Sequence, residues 1–336
     1  MQHVRILTRD RAIGAREIRA GQHLPYARHV DDRTIETRGG MLMQMIRLHG
    51  AGADGEARGY RERLRDAILQ SSGSPGFAVY HHAVRRAVSP GAFANELVLT
   101  LIHRPPLRRM GLVDRLLGHP AEADSACALP ALDAAREALT AALVAHSPQP
   151  LSVYQSPQGH CSQPLEFLSS LYHGEWLPVL LPTQDAGAYL PYRRIGFGQE
   201  TIELGAAGEL PRHYAAIVSI KGYPGQAATG LVDELLHLPF GIAVSQSFGF
   251  VERKARRSAA GRFGEHHMTI AVRGGTPPEV ARGMAEVQAV LAELGIVAVR
   301  EEIALEPAFW AQFPGNFSHI ARRGLVPAAE FAGFAG

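Results

Sequence analysis

Cysteine is nearly absent: only Cys127 and Cys161 occur in 336 residues, and no CxxC is formed. That excludes a disulfide framework and a zinc knuckle, and it fits a reducing cytoplasm. Long apolar runs are missing too. The longest, 177–182, falls far short of the ~18 residues that a membrane-spanning helix needs. The amino terminus carries charges every few residues and no apolar core, so it does not read as a secretory signal. The net charge of +2 shows no excess of one sign that would call for nucleic acid or an anionic membrane. The phosphate-binding pattern GxxxxGK[ST] occurs nowhere. The stretch GYPGQAATG at 222–230 lies between a strand and a helix, where such a loop belongs, but it has no lysine followed by serine or threonine. Gly196-Phe197-Gly198 is only a GxG. Catalytic, cofactor and metal residues are therefore expected to be none in this chain.

With 46% hydrophobic residues the chain can bury a real core, and its length suits two domains. Hydrophobic periodicity writes one pattern twice. In the second half, 214–220 alternates as a strand, 230–237 reads as a short helix, and 240–251 and 266–272 are strands. A helix follows over 278–294, with Pro277 and Pro278 at its start and Gly295 at its end, and 296–300 closes as a strand. The first half repeats the order. A hairpin over 34–48 turns at Gly39-Gly40, and a helix runs over 60–69. Strands at 77–88 and 96–103, a helix at 130–145 and a strand at 151–154 follow, with a further helix at 164–171. The expected fold is α+β: two ferredoxin-like βαββαβ lobes with mainly antiparallel sheets flanked by helices. The expected organisation is an N-terminal extended segment at 1–29, a first lobe at 30–205, a second at 211–305, and a terminal portion at 306–336.

Two histidine pairs, His81-His82 and His266-His267, invite a metal-hydrolase reading. Both fall on predicted strands, where neighbours point to opposite faces and cannot share an ion. The expectation is one solvated histidine and one hydrogen-bonded histidine in each pair. Basic clusters at 104–109 and 253–257 admit a second alternative, an RNA-binding protein with two recognition modules. However, the strands 96–103 and 266–272 hold no Phe, Tyr or Trp on which a base could stack. The carboxylates Glu301-Glu302 read as surface charge.

Several blocks, in order, resemble the VirB/TrbE/CagE family of type IV secretion ATPases. They are LPYARHVDD at 24–32, GGMLMQMIRLHG at 39–50, FANELVLTLIHRP at 93–105, PLEFLSSLYHGE at 164–175, GRFGEHHMTIAV at 261–272 and FWAQFPGNF at 309–317. The resemblance implies the amino-terminal half of such a protein, with the motor domain elsewhere. ATP and magnesium would belong to that motor domain. It also implies docking on the small third VirB protein and the inner-membrane complex, self-association to a hexamer in the full-length protein, and no direct nucleic-acid contact. The location implied is the cytoplasmic face of the bacterial inner membrane. Phe309, Trp310, Gln312, Phe313, Pro314, Gly315 and Asn316 would form the junction toward the motor. Connections near 50–58, 87–93 and 255–261 are shorter than is usual in the family.

Overall fold

A computed structural model describes residues 16–17, 20–49, 56–71, 76–89, 91–105, 125–183, 185–205, 212–222, 230–250 and 263–335. The stretch 206–210 between the two expected lobes, the glycine-rich stretch 223–229, most of the basic cluster at 104–109, all of that at 253–257 and the short connection at 255–261 lie outside the described residues.

Short strands β1 (Arg16–Glu17), β2 (Tyr26–His29) and β3 (Ile35–Thr37) come first. The first repeat comprises β4 (Leu42–Leu48), α1 (Glu56–Ser71), β5 (Phe77–Ser89), β6 (Ala92–His103), α2 (Ser125–Ala142) and β7 (Gln149–Pro150). A hairpin of β8 (Val153–Ser156) and β9 (Gly159–Ser162) leads to α3 (Gln163–His173), α4 (Ala186–Tyr189), β10 (Ile195–Phe197) and β11 (Ile202–Leu204). The second repeat comprises β12 (His213–Gly222), α5 (Leu231–His237), β13 (Gly241–Phe250), β14 (Phe263–Gly274), α6 (Pro277–Glu293) and β15 (Val297–Arg300). After it come α7 (Leu305–Ala311), β16 (Gly324–Pro327) and α8 (Ala328–Phe334).

Local chemistry sets these boundaries. Thr276 caps α6 by accepting the Glu279 N–H, with proline in the first turn. Ser162 caps α3 in the same way through the Leu165 N–H, and Gly174 ends that helix in the left-handed conformation. Only the end of the first repeat departs from its expected strand. Residues 149–150 pair with β4, whereas 153–156 pair with β9 in a separate small sheet. Between them the Leu151 N–H goes to the Met45 carbonyl and the Val153 N–H to the Asp32 carbonyl. The buried Leu151 side chain is thus held while the chain leaves the main sheet.

Within the repeats the pairings run β7-β4-β6-β5 and β15-β12-β14-β13, all antiparallel. Each repeat therefore lays its strands in the order fourth, first, third, second, which is compatible with the ferredoxin-like split unit. The two repeats then join edge to edge. β5 pairs with β13 from Ala78↔Gly249 to Arg85↔Ile242, producing one mostly antiparallel sheet of 14 strands among the described residues. Pairing the two edges removes both as open templates for other chains.

Each face of this sheet carries a core that draws on both repeats. One face is covered by α1, α2, α5, α6 and α8, the other by α3, α4 and α7. Arg273 of β14 ties the second repeat to the first on the α3 side. Its guanidinium donates to the carbonyls of Ser170, Leu171 and Tyr172 at the carboxyl end of α3. A cation there complements the helix dipole. Burial pulls Arg273 down to about 10, which leaves it charged at neutral pH.

Candidate functional site

The terminal block is built through the sheet. β14 is occupied on one side by β13 along its length, and on the other by β12 only from Thr269 to Gly274. β16 takes the remaining stretch, pairing Val326 with Gly264 and Gly324 with His266. The chain therefore passes from α7 on one face, through the sheet's own layer, to α8 on the other. There Phe331 stacks on Phe248 and Phe334 stacks on His266, with ring centroids 5.1 and 5.6 Å apart.

Phe309, Trp310, Gln312, Phe313, Pro314, Gly315 and Asn316 are all buried. Phe309 meets Tyr172 and Phe197 edge-on, at 5.8 and 5.7 Å. Trp310 lies flat on the His23 ring at 4.8 Å. Gly315 turns the chain at φ +91°, a conformation that disfavours any side chain, against Met43 and Thr37. Asn316 Nδ2 donates to the carbonyls of His23 (2.8 Å) and Trp310 (3.0 Å). Met43 of the first repeat lies against Gly315, and α7 packs on β12 and β14 of the second.

Neither histidine pair has a solvated member, contrary to the expectation from sequence. His81, His82, His266 and His267 are all buried. The strand pleat does send the two members of each pair to opposite faces. His81 and His266 flank Gln246: its amide donates to His81 Nδ1 at 3.3 Å, and its Oε1 accepts from His266 Nε2 at 3.0 Å. On the other face His82 Nε2 donates to the Gln312 carbonyl (2.9 Å) and His267 Nδ1 to the Arg322 carbonyl (2.8 Å). Burial lowers His81 and His266 to about 3 and His82 and His267 to about 4, so all four are neutral at physiological pH. They act as hydrogen-bonding ties. Among the described residues no group of three or more His, Cys, Asp or Glu side chains could hold a metal ion.

Glu301 also departs from its expected place on the surface. It is 2% exposed and receives Arg322 Nε at 2.7 Å and a second guanidinium nitrogen at 3.3 Å. No periodicity in the sequence marks it, because its burial depends on the returning terminal segment.

Among the described residues a serine meets a histidine beside α3. Ser162 Oγ lies 2.8 Å from His29 Nε2, and His29 Nδ1 donates to the Asp31 carbonyl at 3.1 Å. Ser162 is wholly buried and its oxygen caps α3, so the pair is a structural cap that no substrate reaches. A cleft of about 410 Å³ lies between β4, β6 and α5. Several of its polar groups are engaged. Glu96 pairs with Arg86, Asn95 with Arg85, His49 with Gln149, and His237 with the Asp233 carbonyl. The sheet faces that an RNA-recognition module would leave open are covered on both sides, which removes the physical basis of the RNA reading.

The result is a duplicated α+β body whose buried polar groups tie the terminal segment to the sheet. The family model described as "CagE, TrbE, VirB family, component of type IV transporter system" matches residues 149–259 and 254–322, more than half of the chain. The chain belongs to that family. It is 25% identical to the type IV secretion system protein virB4 of Bartonella quintana over 96% of this chain and 49% of that protein. It is 23% identical to the type IV secretion system protein PtlC of Bordetella pertussis, over 96% of this chain and 47% of the relative. For the protein virB4 of Agrobacterium fabrum the values are 24%, 96% and 48%. The chain spans about half the length of the curated relatives it matches. Among the described residues no helix is long and apolar enough to cross a membrane.

Proposed function

We propose that this chain is the docking and assembly portion of a type IV secretion ATPase, non-catalytic by itself. In the full-length protein it would serve a motor that binds ATP and magnesium and energises pilus assembly and substrate translocation. Its partners would be the third VirB protein and the inner-membrane complex, at the cytoplasmic face of the inner membrane. The full-length protein would assemble as a hexamer. The observation that carries the reading is the match to type IV secretion proteins across nearly the whole chain and only about half of theirs. The buried block from Phe309 to Asn316 supports a coupling role. His82 of the first repeat bonds the Gln312 carbonyl and α7 packs on β12 and β14 of the second, so force applied to the block would reach both.

The test is a pull-down of the folded chain with the third VirB protein, alongside an ATP-turnover assay. Capture without turnover is expected. Turnover by the isolated chain, or no capture by well-folded protein, would overturn the proposal.

A further inference from the structure

On the sheet face beneath α7, cross-strand register sets two successive rows of polar side chains. Thr100, Tyr80, Ser247 and His267 form one row; His82, Ser245, Thr269 and Ser219 form the next. All are buried. A face permanently sealed in a core is ordinarily apolar, and buried polar groups are ordinarily paired. Here Thr100 Oγ1, Ser245 Oγ, His267 Nε2 and both amide atoms of Gln312 have no hydrogen-bond partner among the described residues.

The cover over the first row is thin. Residues 308–316 are continuously buried, whereas Phe317 to Arg323 alternate between half-buried and exposed. Phe317, 5.8 Å from the Tyr80 ring, and His319, 5.6 Å from the His23 ring, are the ring contacts of this stretch. The remaining ties are polar: Arg322 to Glu301, Arg323 to Glu265, and the Arg322 carbonyl to His267. Arg323 and Glu265 are 40% and 48% exposed, so that pair is weak and screened by salt. Both ends are fixed, by Asn316 on one side and by β16 pairing with β14 on the other.

We propose that residues 317–323 form a strap that lifts off the sheet while the rest of the fold stays closed, wetting the row Tyr80–Ser247–His267. Thr100 Oγ1 and His267 Nε2 of that row gain water when it opens, and little apolar surface is lost. Such segments open locally at far lower free energy than the whole domain. The strap stands whether or not the terminal block couples to a motor.

The experiment uses the chain with Cys127→Ser and Cys161→Ser, adding either Ser247→Cys beneath the strap or Ala83→Cys on the opposite face. Maleimide labelling is followed in native buffer and in low urea. Ser247→Cys is expected to label at least tenfold faster than Ala83→Cys, with little urea dependence. Adding Arg322→Ala, or raising salt, should speed the first and leave the second unchanged. Equal rates with equal, steep urea dependence would mean that only global unfolding exposes the row, and would overturn the strap. Should Ser247→Cys fail to fold, native-state hydrogen exchange of the unmodified chain decides. The amides of His319 and Ile320, bonded to the carbonyls of Asn316 and Phe317, must then exchange through a far less urea-dependent opening than those of β5. Matching urea dependence sinks the proposal equally.

Discussion

The ring of His82 donates from Nε2 to the main-chain carbonyl of Gln312 at 2.9 Å, across 230 positions of sequence. The bond fastens the first repeat to a segment that follows the second. Both residues are buried, so the carbonyl has no access to water as an alternative. Replacing His82 by Phe should therefore destabilise the chain by about 1–3 kcal/mol, the cost of an abandoned buried acceptor. Urea midpoints measure this. His160→Ala, at an exposed position, should stay within about 0.5 kcal/mol of the parent. Similar losses for the two variants would show that the tie is energetically idle.

Acid sensitivity follows from the buried histidines. Folding depresses His81 and His266 to about 3 and His82 and His267 to about 4, against 6.5 when unfolded. The unfolded chain thus binds more protons between those values, and stability falls as pH drops below about 6.5. Each histidine contributes roughly 1.4 kcal/mol per pH unit across that window. Burial lowers His173 in the same direction. Urea midpoints should be flat from pH 7 to 8 and fall steeply toward pH 5. A flat profile through pH 5 would contradict the neutral-histidine interior.

Trp310→Ala should cost about 3–5 kcal/mol, because the indole is wholly enclosed by rings from distant parts of the chain. Thermal unfolding and near-ultraviolet circular dichroism report it. A loss below about 1 kcal/mol would mean that the block rests on the core without being part of it.

Arg273→Met removes the cation at the carboxyl end of α3 and leaves the carbonyls of Ser170, Leu171 and Tyr172 without it. A loss of about 2–3 kcal/mol is expected. Arg273→Lys should recover only part, since one ammonium cannot span three carbonyls as a guanidinium does. Full recovery by lysine would reduce the contact to simple charge.

Much of the fold was legible. The stripe of Val280, Met284, Val287 and Leu291 between Pro277 and Gly295 declares α6, and those four side chains are buried as that spacing requires. The alternation in β12 to β14 set the second repeat, and the first followed by analogy. The candidate site was legible as a set of residues but not as an arrangement. Histidines on strands look like half-solvated surface unless both faces are known to be covered. Glu301 looks like surface charge unless Arg322 is known to return beside it.

The sequence alone determined the element order, the repeated βαββαβ pattern, the missing GxxxxGK[ST] and the aromatic terminal block. Periodicity and turn chemistry are local, and they act within a few residues of where they are written. Tertiary structure decided that the repeats fuse through β5 and β13 into one sheet, and that the terminal block threads that sheet. It also decided that four neutral histidines and Glu301 are interior. Those outcomes depend on which surfaces meet between separate elements of the chain, and burial is a property of the meeting, not of either partner.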